Sequence, residues 1–143
     1  MHRSALFLAL ITVVALPAHA GDTIPADVKE MNQVWGGILK KMSQMAADEW
    51  SCTDPLTFSK ASSQMIRIQG CGKEVVFGHV QDSTSWYPDF DVRKKAPFEL
   101  SCDAAQLTYV LIDERNRGVE GCGKKAMYVI GPNGWLMNST SGG

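Results

Sequence analysis

All four cysteines of this chain fall inside a segment that occurs twice: Ser51-Cys52 followed by Gly70-Cys71-Gly72-Lys73, then Ser101-Cys102 followed by Gly121-Cys122-Gly123-Lys124. An even cysteine count held in such a duplication reads first as a disulfide framework. In the second copy Leu107, Tyr109 and Leu111 alternate with Thr108, Val110 and Ile112, the period of a strand with both faces at least partly covered. Asp113 to Asn116 supplies turn residues, a second strand leads through Val119 to Gly121, and a third runs from Lys125 to Ile130. The first copy follows more weakly: Leu56 to Ser59, a turn at Lys60 to Ser63, Met65 to Ile68, then Glu74 to Val80. Each copy thus reads as a three-stranded antiparallel meander.

That layout bears on pairing. Cys52 opens the first strand of a hairpin and Cys71 closes the second, which sets them opposite each other, and Cys102 and Cys122 stand in the same relation. Opposed residues in antiparallel strands have Cα atoms roughly 4.5–5.5 Å apart, within reach of a disulfide. Pairing within each copy is the favoured reading, with the two cross-copy connectivities left open. Closing a loop of roughly 20 residues stabilises a fold by about 3 kcal/mol in the chain-entropy account. The glycines beside Cys71 and Cys122 admit a bulge or a close backbone approach. A four-thiolate metal site or a redox pair is the weaker reading, because no C-x-x-C occurs.

The start of the chain places it outside the cytosol. His2 and Arg3 precede the apolar run Ala5 to Leu16, and Ala18 and Ala20 occupy the small-residue positions of a signal-peptidase site. Residues 1–20 therefore read as a signal peptide; the run is too short to cross a hydrocarbon core of about 30 Å. Residues 21–143 then form a single exported domain, divided into a helix (21–50), a first β-repeat (51–80), a linker (81–99), a second β-repeat (100–138) and a flexible tail (139–143). Lys and Arg number 14 against 15 Asp and Glu. That near balance gives no reason to expect a nucleic-acid partner or an anionic membrane.

Ahead of the first copy, Met31, Val34, Trp35, Ile38, Leu39, Met42, Met45 and Ala46 recur at helical spacing on one face. One amphipathic helix is expected from Ala26 to Asp48, covering a face of the sheet, with Gly36-Gly37 marking either a bend or a close approach of a neighbour. The linker mixes turn formers, aromatics and charge. Trp86, Tyr87, Asp89, Phe90 and Asp91 are candidate binding residues, since rings offer stacking area and carboxylates accept hydrogen bonds. The competing reading folds these aromatics over a sheet edge, and Arg93-Lys94-Lys95 reads as a solvated turn. A Gly-Pro-Asn-Gly turn, a short strand at Trp135 to Met137 and a loose tail end the chain. Asn138-Ser139-Thr140 matches the glycosylation pattern.

Catalytic signatures are sparse. His79 is the one histidine beyond the leader, reads as a surface or edge residue, and has no Gly-x-Ser-x-Gly elbow to serve. No calcium loop surrounds Asp89 and Asp91, and no phosphate loop or dinucleotide fingerprint follows a strand. Three of the methionines share the helix's apolar face, so packing is favoured over a soft copper(I) site.

The pattern of a cysteine, about 20 residues, then Gly-Cys-Gly-Lys with an aromatic a few residues on is similar to that of small exported bacterial proteins and lipoproteins. Gly121-Cys122-Gly123-Lys124-Lys125-Ala126-Met127-Tyr128 fits closely; in the first copy Glu74 and Phe77 depart from it. The resemblance covers the two repeats and implies export and disulfides, without a catalytic residue. The expectation is an α+β protein, an N-terminal amphipathic helix packed on two tandem disulfide-clasped antiparallel β-meanders. It would act as a non-enzymatic periplasmic or secreted binding module with no cofactor and no catalytic or metal-ligating residue. Its partner would be another envelope or secreted protein, or a second copy of itself, met through a sheet edge, the helix or the Trp86–Asp91 loop. The rival readings are a metal or thiol-redox protein using Cys71 and Cys122, and a hydrolase or carbohydrate binder using His79 and the linker aspartates.

Overall fold

The computed structural model describes residues 21–80 and 85–142. The expected signal peptide lies outside the described residues. Helices α1 (Ala26–Val34) and α2 (Leu39–Trp50) lead into strands β1 (Thr57–Ser62), β2 (Met65–Gly70), β3 (Lys73–His79) and β4 (Trp86–Pro88). Helix α3 (Phe90–Glu99) and a short 3-10 turn then precede β5 (Thr108–Leu111), β6 (Asn116–Gly121), β7 (Lys124–Gly131) and β8 (Gly134–Ser141). The strands form two antiparallel four-stranded sheets, ordered β1-β2-β3-β4 and β5-β6-β7-β8. The α+β class holds; β4 is a strand beyond those expected, and β8 lengthens the short strand expected at Trp135 to Met137.

The single N-terminal helix is two helices. Gly36 and Gly37 take φ of 76° and 80°, a left-handed conformation that ends an α-helix and that glycine adopts without steric cost. A Cβ at either position would meet nothing within 4 Å, so the glycines serve the turn and not a close packing partner. The Asn32 side chain then accepts a hydrogen bond from the Leu39 N–H at 2.9 Å and satisfies one of the free donors at the start of α2.

Residues 90–99, expected as linker, are helical. Val92, Ala96 and Leu100 recur at intervals of four and are fully buried, which is the apolar stripe of a helix. Pro97 hides the signal, because a proline inside a helix leaves the carbonyl four residues earlier without its donor. That carbonyl belongs to Arg93, and the Tyr109 hydroxyl donates to it at 3.4 Å. Both α2 and α3 end on a left-handed serine, Ser51 and Ser101. The following cysteine N–H reaches back five residues, Cys52 to Ala47 at 2.9 Å and Cys102 to Pro97 at 3.0 Å. These are the 6→1 bonds of a Schellman ending.

The apolar interior lies in two clusters. Val28, Met31, Leu39, Met42 and Ala46 of α1 and α2 pack on Phe58, Ile66, Ile68, Val75 and Phe77 of the first sheet. Val92, Ala96 and Leu100 of α3 pack on Val119, Ala126, Tyr128, Ile130 and Trp135 of the second. The outer face of the second sheet stays open: Val110, Ile112, Met127 and Leu136 are exposed, so the strand at Thr108–Leu111 is covered on one face and not on both. The tail is not loose either. Ser139, Thr140 and Ser141 pair with Met127, Ala126 and Lys125 and lengthen β8. Among the described residues no helix is long and apolar enough to cross a membrane.

The cysteines pair as Cys52–Cys71 and Cys102–Cys122, with Cα separations of 5.9 and 5.8 Å. The geometry differs from two opposed strand residues. Cys52 and Cys102 follow the helix ends, while Cys71 and Cys122 occupy tight turns between strands. Gly70 pairs with Lys73 and Gly121 with Lys124, leaving Cys-Gly as a two-residue loop. Cys71 and Gly72 have φ of 49° and 70°, the double left-handed geometry of a type I′ hairpin. Each disulfide therefore ties a helix terminus to a hairpin tip. The first glycine of the motif has a separate, steric role. A Cβ on Gly121 would lie 2.5 Å from the Gln106 carbonyl and 3.3 Å from the Cys102 sulfur. Since overpacking typically costs about 1–3 kcal/mol, Gly121→Ala is expected to lower the urea-unfolding free energy by about that much; an unchanged midpoint would contradict the close approach.

Candidate functional site

The two halves meet at the chain segment that follows β4. Asp89 is 2% exposed, and both carboxylate oxygens are in use. Oδ1 accepts from the Val76 N–H at 2.9 Å and lies 3.3 Å from Arg93 Nε. Oδ2 lies 3.4 Å from Nε of Arg117, itself 2% exposed; at that distance the contact is an ion pair more than an aligned hydrogen bond. Arg117 Nη1 donates to the carbonyls of Asp113 and Asn116, and the guanidinium stands 4.8 Å from the Trp135 ring centroid. Burial pulls the Arg117 pKa down, with the Asp89 charge opposing it. Trp135 Nε1 in turn donates to the Pro88 carbonyl at 2.8 Å. One carboxylate thus holds β3, α3 and β6 together.

Beside this junction lies a cleft of about 680 Å³. Glu49 and Trp50 come from the end of α2, the Gly70–Glu74 hairpin tip forms one rim, and Phe90, Arg93 and Lys94 of α3 face Tyr109. Trp50 and Phe90 meet edge to face with centroids 6.1 Å apart. The Arg93 guanidinium sits 4.6 Å from the Tyr109 ring centroid and ion-pairs with Glu74 at 3.0 Å. Lys94 reaches Glu49 at 2.5 Å. Burial raises the Tyr109 phenol pKa, although the Arg93 charge lowers it. Among the described residues the lining contains no Ser, Thr, Cys or His, and its glutamates are engaged by cations.

Matching positions in the two halves differ where they border the cleft. In the second half Lys124 Nζ donates to the Leu100 carbonyl at 2.8 Å, closing the end of α3. The Tyr128 hydroxyl donates to Glu99 at 2.6 Å. In the first half Phe77 has no hydroxyl, so its counterpart of Glu99, Glu49, turns to Lys94 of α3 instead. Trp50 replaces Leu100, and Lys73 makes no side-chain hydrogen bond or ion pair among the described residues. The second half spends its lysine and tyrosine on its own helix end; in the first half the lysine position borders the cleft, while Phe77 is buried in the first core.

The structure separates the residues that the sequence singled out. Phe90 lines the cleft, while Asp89 is buried behind it. Trp86 lies on another side, stacked near Trp35 and His79 with centroids 6.0 and 5.2 Å away. Tyr87 packs against the second core, and Asp91 stands in the first turn of α3. His79 is not a surface residue: it is 5% exposed, with its ring 3.9 Å from that of Trp35. The break between α1 and α2 sets Trp35 over the end of β3. Arg93, Lys94 and Lys95 form no solvated turn, since Arg93 and Lys94 make the ion pairs above and Lys95 Nζ donates to the Trp135 carbonyl at 3.1 Å. Cys71 and Cys122, the thiols of the metal or redox reading, are both in disulfides. Among the described residues no three His, Cys, Asp or Glu side chains gather as a metal site would require. Sequence reasoning missed Glu49, Trp50, Lys73, Glu74, Lys94 and Tyr109; the departures at Glu74 and Phe77 were the available signal.

Removing one partner of a buried ion pair strands the other, at a cost of about 3–5 kcal/mol. Asp89→Ala should therefore destabilise the protein by roughly that amount in urea unfolding, and a change of under about 1 kcal/mol would show that Arg117 finds other partners. Burial and the Glu99 carboxylate hold the Tyr128 phenol pKa above its ordinary value. The unfolded chain then releases this proton first, so the contribution of the neutral phenol is intact below about pH 10 and lost as pH climbs further. Tyr128→Phe is expected to cost about 1–2 kcal/mol at neutral pH and to flatten the alkaline decline in stability; an unaltered decline would remove Tyr128 as its source. No family model, curated protein or solved structure matches the chain, so what the cleft does has to be read from its own chemistry.

Proposed function

We propose that the protein is a non-enzymatic, exported binding module that takes a segment of another polypeptide in the cleft between its halves. The observation that carries this reading is the cleft itself: half-buried rings and ion pairs are brought to one concave surface, with no serine, threonine, cysteine or histidine among the described lining residues. Rings and rigid charge pairs make a recognition surface at low entropic cost. Trp50 and Glu74, where the second half has Leu100 and Lys125, fall on this surface, which supports a role beyond holding the fold. The leader pattern at residues 1–20 and two disulfides support work in the periplasm or outside the cell, where such bonds persist. The doubled cysteine segment supports an origin of the two halves as copies of one unit.

Site-specific photocrosslinking tests the reading. A photoreactive residue at Ala104, on the cleft, should yield a discrete polypeptide adduct in the exported fraction, from protein whose N-terminus is Gly21. The same residue at Lys60, on β1, should not. Equal adducts from both positions, or none from Ala104, would overturn the cleft as the binding site.

A further inference from the structure

We infer that the segment taken by the cleft is acidic: an extended stretch of polypeptide that sets an Asp or Glu carboxylate against Lys73 Nζ and an apolar side chain against Trp50 and Phe90. The inference rests on the protein-binding reading of the cleft and names the chemistry of its partner.

The charges of the lining decide the sign. Glu49 is engaged with Lys94 and Glu74 with Arg93. Glu74 also lies 3.4 Å from Arg67 Nε and accepts from Gln69 Nε2 at 2.9 Å. Arg93 is shared with Asp89. Of the three cations on the cleft, Lys73 alone has no counter-charge, and its counterpart Lys124 is spent on the Leu100 carbonyl. The one amide, Gln69, is tied to Glu74, and the Tyr109 hydroxyl is given to the Arg93 carbonyl. A neutral sugar would find few free planar acceptors there. A basic segment would meet carboxylates already neutralised and one opposing ammonium. An acidic segment meets a free ammonium beside exposed ring surface, which is the complementary arrangement.

A solvent-accessible pair of this kind contributes up to about 1 kcal/mol, or roughly five-fold in affinity, and weakens with salt. The test uses the disulfide-bonded chain from Gly21 and three sets of synthetic hexapeptides with a central Trp, flanked by Asp, by Ser or by Lys. Binding is read by fluorescence polarisation at low and at physiological ionic strength. The Asp set should bind tightest, and its advantage should shrink with salt. Lys73→Glu should abolish or invert that preference by at least about five-fold, while Lys60→Glu on β1 should leave it unchanged. Lys73 is exposed and unpartnered, so its variant should unfold at the same temperature as the parent. If all three sets bind equally and Trp50→Leu weakens all of them, the acidic partner is overturned and the cleft reading stands. If no set binds, both are overturned.

Discussion

The buried Asp89 carboxylate ties three elements together where the two halves meet. It extends the pairing of β3 by accepting from Val76, it holds Arg93 on α3, and it meets Arg117 from beneath the second sheet. A buried ion pair is not a source of net stability when set against a well-packed apolar alternative, because desolvation consumes most of the Coulomb gain. Its effect is on geometry. An unpaired charge in that position is unfavourable, which disfavours arrangements of the halves that part Asp89 from its arginines. The cleft beside it inherits its shape from this constraint, since Arg93 is shared between the junction and the cleft wall.

The Gly-Cys-Gly-Lys segment shows how four residues can perform four different tasks. The first glycine lets the hairpin tip close on the helix end, and a side chain at Gly70 would collide with Leu56. The cysteine accepts a left-handed conformation, at a cost of about 1–2 kcal/mol, and bonds to the residue after the helix. The second glycine completes the type I′ turn. The lysine differs only in its contacts: in the second half it caps α3, and in the first it stands free at the cleft. The same four residues thus share their backbone roles in both halves and differ only in what the lysine meets.

Much of this was legible locally. The strands Thr108–Leu111 and Lys124–Gly131 follow from alternation, and the hairpins from the turn residues between them. Helix α3 is masked by Pro97, which falls inside it, yet Ser51-Cys52 follows a helix, and the same dipeptide at Ser101-Cys102 asks for one. The burial of His79 is not legible locally, because its neighbour Trp35 is 44 positions away in the chain and arrives only through the break at Gly36-Gly37. Asp89 looked like a ligand-facing carboxylate because local sequence carries no sign of burial; Arg117, its partner, lies on another sheet.

The sequence by itself determined the α+β class, the within-copy location of the cysteines and the positions of most strands, because these depend on periodicity, turn chemistry and spacing within about 20 residues. The tertiary structure decided which distant side chains share one surface. Glu49, Lys73, Arg93 and Tyr109 reach the cleft from α2, a hairpin tip, α3 and β5. Their proximity follows from how the two sheets pack around Asp89, a long-range electrostatic condition that no local pattern encodes.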